Sequence, residues 1–122
     1  MGGKGYAELT RGIWELVLWD PRVVVRELNV PFPSEARRRA PLGPGLVIVT
    51  GPDLRRVVLA VPDVASWAAR TVLELPGTNA DRFRIRDRSL PPEGTAHFLI
   101  TQSYEAAQAL AADLEGNAEI SF

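Results

Sequence analysis

The stretch VVLAVPDVASWAARTVLELPG, residues 57–77, joins an apolar run to an amphipathic segment through a short Pro-Asp step. Asp63 is a residue type that favours the N-cap position of a helix. The buried-type residues that follow recur with a helical period, at Val64, Trp67, Ala68, Thr71, Val72 and Leu75. Pro76 and Gly77 end the pattern. The stretch therefore predicts a strand that leads into a helix over 64–75, with one face of the helix against a core.

The preceding residues, LVIVTGPDLRRVVLAV (46–61), allow two interpretations. In the first they form a hairpin, with strands at 46–50 and 55–61 on either side of a Gly51-Pro52-Asp53 turn. In the second, Asp53 caps a helix that carries four apolar residues, Leu54, Val57, Val58 and Val61. The three β-branched valines and the stop at Pro62 favour the hairpin.

The N-terminal part contains a similar ambiguity around an Asp20-Pro21 pair, which suits the first two positions of a type I turn. We interpret the flanking runs as a hairpin with strands at 13–19 and 22–30. The alternative is a helix over 7–19, because Leu9, Ile13, Leu16 and Val17 fit its period. Residues 1–5, MGGKG, are expected to be a flexible tail.

The segment PFPSEARRRAPLGPG, residues 31–45, is predicted to be a connector. Ser34 can cap one helical turn through EARRRA, and Pro41 then stops it. The density of proline and glycine around this turn excludes a longer element.

Four further elements are predicted after Gly77. RFRIR, residues 82–86, alternates as a strand does, and AHFLIT, residues 96–101, is a second strand. Ser103 then caps a helix whose apolar face carries Tyr104, Ala107, Leu110, Ala111 and Leu114. Gly116-Asn117 is predicted to end this helix with a left-handed C-cap, and AEISF, residues 118–122, to form a closing strand.

From residue 57 onward the predicted order is βαββαβ, which resembles the order of the ferredoxin-like superfold. We therefore expect an α+β chain, with residues 6–122 forming a single domain. This would be a two-layer sandwich in which a mostly antiparallel sheet is backed by two main helices and extended by the N-terminal hairpin. The superfold hosts too many activities for the order alone to imply a function.

Composition excludes several classes of protein. The 122 residues contain no cysteine, so disulfides, zinc–thiolate sites and cysteine nucleophiles are excluded. No apolar run reaches the length of a membrane span, and MGGKGY has no apolar segment typical of a signal peptide. The expected location is therefore the cytoplasm, without membrane association.

Charge is distributed unevenly along the chain. Residues 1–88 contain all 14 lysine and arginine side chains and 10 of the 15 acidic ones. The charged side chains of residues 89–122 are all acidic. In DRFRIRDR, residues 81–88, a strand would turn Phe83 and Ile85 to one face and four arginines to the other. The candidate polyanion-binding residues are Arg82, Arg84, Arg86, Arg88, Arg55 and Arg56. The alternative is an ordinary solvated or ion-paired strand face that protects a sheet edge.

The tryptophans give the stronger functional indication. Trp67 belongs to the predicted helix face, whereas Trp14 and Trp19 lie an odd number of residues apart and would face opposite sides of one strand. One of them would then lie outside the core unless a partner covers it. The candidate interface residues are Trp14, Trp19, Val23 and Val25, and we expect a protein partner, including a second copy of this chain as a homodimer.

No motif predicts catalysis or a cofactor. The glycine-rich pieces PLGPG and VTGPD match neither a P-loop nor a dinucleotide fingerprint. His97 is the only histidine and has neither a nucleophile nor acidic metal ligands at a recognisable spacing. The leading hypothesis is a non-catalytic protein-binding module, followed by a nucleic-acid or polyanion binder, with an enzyme third.

Overall fold

The computed structural model describes residues 19–53, 55–76 and 83–120. Their strands are β1 (Val23–Phe32), β2 (Gly45–Thr50), β3 (Arg56–Val61), β4 (Val72–Glu74), β5 (Phe83–Ile85) and β6 (Gly94–Thr101). Their helices are α1 (Ala36–Arg39), α2 (Val64–Thr71) and α3 (Tyr104–Ile120). The predicted tail at 1–5 lies outside the described residues, as do residues 13–18 of the first predicted strand (13–19) and residues 7–18 of its helical alternative (7–19). Trp14, Leu54 and Arg82 lie outside them as well.

The main sheet is four-stranded and wholly antiparallel, in the order β1-β6-β2-β3. β2 is central because its run Leu46-Val47-Ile48-Val49 is apolar at every position and 0% exposed throughout. Full burial of each such side chain contributes about 1.5–3 kcal/mol. The hairpin interpretation of 46–61 is confirmed, with the Gly51 N–H donating to the Arg55 carbonyl at 2.8 Å across the turn.

Each face of this sheet has its own core, and successive residues of β2 alternate between them. Leu46 and Ile48 pack with the buried face of α3. Val47 and Val49 pack with α2 and with the buried residues around β1, β4 and β6. The helices α2 and α3 therefore cover opposite faces of one sheet.

Helix α2 begins as predicted, because the Asp63 carboxylate accepts the Ser66 N–H at 3.1 Å. It ends at Thr71, four residues before the predicted end, and Val72–Glu74 pair as a strand with β5. Val72 is still 0% exposed and packs in the same core as the buried residues of α2. The prediction that Val72 is buried is therefore correct, although the residue lies in a strand and not in the helix. The β-branched pair Thr71-Val72 also favours extended backbone.

Helix α3 also begins as predicted, with the Ser103 hydroxyl accepting the Ala106 N–H at 3.0 Å. Four of its five predicted apolar residues, Ala107, Leu110, Ala111 and Leu114, are buried, whereas the fifth, Tyr104, is exposed. The predicted C-cap at Gly116-Asn117 is wrong, because the helix continues to Ile120. The predicted closing strand is wrong for 118–120 for the same reason, and 121–122 lie outside the described residues.

The connector contains one helical turn, as predicted, but Ser34 is not its cap. Glu35 occupies the N-cap position without a capping side-chain bond. The N–H groups of Glu35 and Ala36 donate instead to the Pro31 and Pro33 carbonyls, at 2.9 and 3.2 Å.

The protein is thus α+β with a mostly antiparallel sheet and three helices among the described residues. From Arg56 the order is β3-α2-β4-β5-β6-α3, and β4 with β5 forms a separate two-stranded sheet. These elements do not establish the ferredoxin-like order. Nor do they establish a two-layer sandwich, since the two longer helices lie on opposite faces.

Candidate functional site

Three apolar side chains are exposed where the described chain enters the sheet. Trp19 is 79% exposed, Val24 52% and Val25 45%. We call these three residues the Trp19 surface. They include two of the four predicted interface residues, Trp19 and Val25, while Trp14 lies outside the described residues.

Val23, the fourth predicted interface residue, is only 5% exposed and packs in the core beneath α3. Val23 is therefore part of the core and does not lie on the exposed surface with Val25. Val23 pairs with Thr101 and Val25 with Ile100, so the register shifts by one residue at Val24. This β-bulge reverses the alternation of side chains and places Val23 and Val25 on different faces of the sheet.

A clamp of hydrogen bonds orders the turn that follows Trp19. The Val23 N–H donates to the Asp20 carbonyl at 3.0 Å, which confirms the predicted Asp20-Pro21 turn. The Asp20 carboxylate accepts the Arg22 N–H and Nε–H at 2.9 Å each and the second guanidinium nitrogen at 2.7 Å. The Arg22 guanidinium also binds Asp113 on α3 at 3.2 Å. The side-chain hydrogen bond from Arg22 is the main cause that lowers the pKa of Asp20, and it raises the pKa of Arg22.

A cation–π contact adds to the clamp, with the Arg26 guanidinium carbon 5.7 Å from the centre of the Trp19 ring. β1 itself lies at one end of the strand order and pairs with β6 alone within the described part of the chain. The Trp19 surface thus lies beside a ten-residue strand at the end of the described sheet.

The arginine stretch is only partly a strand. Phe83 and Ile85 are half-buried against the core and Arg84 is exposed, so the predicted alternation is confirmed for β5. β5 ends at Ile85, and the prediction that Arg86 and Arg88 continue the same strand face is wrong. The chain turns there because the Asp87 carboxylate accepts the Ser89 N–H at 2.9 Å and its hydroxyl at 2.6 Å. Both hydrogen bonds lower the pKa of Asp87, and the bond from the Ser89 hydroxyl has the larger effect.

Four exposed arginines nevertheless lie on or beside the segment 84–89. The Arg55 guanidinium donates to the Ser89 carbonyl, which brings it to the turn that carries Arg88. Arg84, Arg86 and Arg88 are exposed, and none of them forms an ion pair with a described residue. We call Arg55, Arg84, Arg86 and Arg88 the arginine surface. Arg56 does not join it, because its charge acts on His97 on the α3 side of the sheet.

His97 lines a cleft that the sequence did not predict. Its Nδ1 accepts the Asn29 N–H at 3.2 Å, and burial, followed by the charge of Arg56, lowers its pKa. The cleft has a volume of about 480 Å³ and is lined by Asn29, Thr50, Gly51, Pro52, Gly94, Thr95 and His97. The available signal was the polar residue at the end of one apolar run and the Thr-x-His alternation at the start of another, at Thr50, Thr95 and His97.

No protein-family model, curated protein or solved structure matches this chain. Within 19–53, 55–76 and 83–120, no group of three His, Cys, Asp or Glu side chains is arranged to hold a metal ion. None of the helices in those ranges is long and apolar enough to cross a membrane.

Proposed function

We propose that this protein is a non-catalytic cytoplasmic binding module that associates with a second copy of itself through β1 and the Trp19 surface. The observation that supports this most directly is the exposure of Trp19, Val24 and Val25 beside β1, which is the end strand of the described sheet. Tryptophan is enriched among the residues that dominate protein interfaces.

The position of β1 at the end of the described sheet supports self-association, because an antiparallel strand can extend its sheet by pairing with its own copy around a two-fold axis. Such an interface is closed, since each β1 covers the other. The clamp of Asp20 and Arg22 and the contact of Arg26 with the indole reduce the conformational entropy that Trp19 loses on binding.

Sedimentation velocity of the full chain over a range of concentrations tests this proposal. We expect a concentration-dependent dimer, and we expect Trp19→Ser with Val25→Ser to weaken it by more than about tenfold. Leu42→Ser is the matched control, because Leu42 is 82% exposed outside the Trp19 surface. A strictly monomeric wild type, or equal loss in the control, contradicts the proposal.

A second candidate function is polyanion binding by the arginine surface. It is supported by the exposure of Arg84, Arg86 and Arg88 and by the absence of ion pairs to them among the described residues, whereas Arg22, Arg38 and Arg39 are paired with carboxylates. Planar guanidinium groups bind phosphates well.

Fluorescence anisotropy with a labelled single-stranded oligonucleotide at several salt concentrations tests this second candidate. We expect Arg84→Gln with Arg88→Gln to weaken binding and to reduce the slope of log K against log salt by about 1.4, two phosphate contacts at about 0.7 each. Arg26→Gln with Arg38→Gln removes the same charge from β1 and α1 and is expected to retain binding. Absence of salt-dependent binding by the wild type contradicts this candidate.

A further inference from the structure

Ser89 differs from the other hydroxyl-bearing residues of the chain in what precedes it. Arginines lie one, three and five residues before it, at Arg88, Arg86 and Arg84. No other serine or threonine has more than one arginine among its five preceding residues. This spacing matters because protein kinases that act on basic substrates select them by charge, with acidic groups of the substrate groove facing arginines before the acceptor.

The structure leaves these arginines and the acceptor serine accessible. Residues 86–89 are all exposed, and so is Arg84 on β5. None of the three arginines forms an ion pair with a described carboxylate. The chain after Ser89 is buried instead, with Leu90 4% exposed in the core. An enzyme that approaches Ser89 therefore meets the segment that carries the arginines.

The Ser89 hydroxyl donates to the Asp87 carboxylate at 2.6 Å. The Ser89 N–H donates to the same carboxylate oxygen at 2.9 Å. A phosphoryl group on the Ser89 oxygen would remove the O–H donor and place a second negative charge beside Asp87. Modification of Ser89 would therefore weaken the turn as it stands.

Two guanidinium groups are placed to receive the new charge. Arg55 donates to the Ser89 carbonyl, and Arg88 is the adjacent residue and is exposed. Guanidinium groups bind phosphate oxygens through charge-assisted hydrogen bonds that are frequently bidentate. A phosphate on Ser89 would thus exchange the contact with Asp87 for contacts with Arg55 and Arg88.

We propose that Ser89 is a phosphorylation site for a serine kinase with an acidic substrate groove, and that Arg55 and Arg88 hold the phosphate. In this reaction the Ser89 Oγ attacks the γ-phosphorus of ATP, its proton passes to the catalytic carboxylate of the kinase, and ADP leaves. The modification adds about 1.5–2 negative charges at pH 7 to the arginine surface. The proposal depends neither on self-association through β1 nor on polyanion binding.

Incubation of the full chain with Mg²⁺-ATP and a purified basophilic serine kinase, followed by peptide mass spectrometry, tests the proposal. We expect one phosphate, at Ser89, and none on the Ser89→Ala variant. Ser34 is the internal control, because it is also exposed but its neighbouring arginines, at 37–39, follow it in the chain. An unmodified chain, or a phosphate at Ser34 in place of Ser89, overturns the proposal.

Variants separate recognition of the arginines from simple exposure of the serine. Arg84→Gln with Arg86→Gln is expected to lower kcat/KM for phosphorylation about tenfold. Arg37→Gln with Arg70→Gln removes the same charge from α1 and α2 and should be phosphorylated as the wild type is. Equal rates in all three proteins overturn the proposed recognition.

Phosphorus-31 NMR of the phosphorylated chain as a function of pH tests where the phosphate lies. Arg55→Gln with Arg88→Gln should raise the second pKa of the phosphoserine by about one pH unit, because the guanidinium groups favour the dianion. The same pKa in the variant and the wild type overturns the proposal that these two arginines hold the phosphate.

Discussion

The strands β1 and β2 are both rich in valine, yet their surroundings are opposite. In β2, the four residues from Leu46 to Val49 are all 0% exposed. In β1, Val24 and Val25 are 52% and 45% exposed beside Val23 at 5%. β2 lies between two strands and under helices on both faces, whereas β1 is at the end of the described sheet and carries a bulge. Position in the sheet, rather than composition, separates valines that stabilise the fold from valines that are available for binding.

The largest expected effect of a substitution concerns the centre of β2. Ile48→Ala removes a fully buried side chain from the core beneath α3, and we expect it to lower the free energy of unfolding by about 2–5 kcal/mol. Urea denaturation measures this loss. Ile48→Val is the graded control, with an expected loss of about 0.5–1.5 kcal/mol. A small loss in the alanine variant would contradict the central place of β2.

A smaller loss of stability is expected from substitution of Asp63 or Asp20, which form hydrogen bonds just before β2 and β1 respectively. Asp63 caps α2 and also accepts the Gly43 N–H at 2.7 Å, just before β2. The hydrogen bond from the Ser66 hydroxyl is the main cause that lowers the pKa of Asp63, and the bond from the Gly43 N–H is the next. We expect Asp63→Ala to cost about 1–2 kcal/mol by thermal or urea unfolding.

The matching carboxylate before β1 is Asp20. Its partner Arg22 is one-third exposed, so solvent screens the pair, and we expect Asp20→Ala to cost only about 0.5 kcal/mol. If Asp20→Ala is the more damaging of the two variants, then β1 rather than β2 has the more strongly anchored start.

The hydrogen bond between β1 and β6 at His97 should make stability depend on pH. The folded-state pKa of His97 is lowered below 6.5, so folding favours the neutral ring that accepts the Asn29 N–H. Its contribution is therefore complete above the unfolded pKa and is lost as pH falls through the folded one. We expect urea midpoints to decrease between about pH 7.5 and pH 5.

The lowered pKa values of Asp20, Asp63 and Asp87 keep those carboxylates ionised in this window, so their contribution is lost only at lower pH. His97→Asn, whose side-chain oxygen can accept the same N–H, should show a flatter profile. An unchanged slope in this variant would assign the pH dependence to another group.

The smallest effect is expected at the exposed valines of β1. Val25→Ala should change the free energy of unfolding by less than about 0.5 kcal/mol at concentrations where the chain is monomeric. A loss comparable to that of Ile48→Val would mean that the outer part of β1 is covered, and the contrast between the two strands would then disappear.

Much of the fold could be predicted from local pattern. β-branched runs on both sides of Gly51-Pro52 locate β2 and β3, and the run after Asp20-Pro21 locates β1. Asp63 and Ser103 locate two helix starts. These predictions succeed because the turns and caps form between residues that are close in sequence.

The errors arise where distant pairing competes with local pattern. Val72 continues the helical period of α2, yet it pairs with Ile85 as a strand. Gly116-Asn117 is typical of a C-cap, yet α3 continues through it. Pairing with residues far along the chain overrides local propensity in the first case.

The candidate sites were less predictable than the fold. The exposure of Val25 and the burial of Val23 depend on a one-residue bulge that no local signal marks. The cleft requires β6 to lie beside β2, which brings Thr95 opposite Thr50 although 45 positions separate them. Arg55 and Arg56 are neighbours in sequence, yet they contribute to different surfaces.

The alternation of β2 between two cores has a consequence for how the protein unfolds. Leu46 and Ile48 belong to the core beneath α3, and Val47 and Val49 belong to the core beneath α2. Because the same strand contributes to both cores, neither core can unfold while the other stays intact. Both cores should therefore unfold in one cooperative step, and the amides of β2 should be among the slowest to exchange with deuterium.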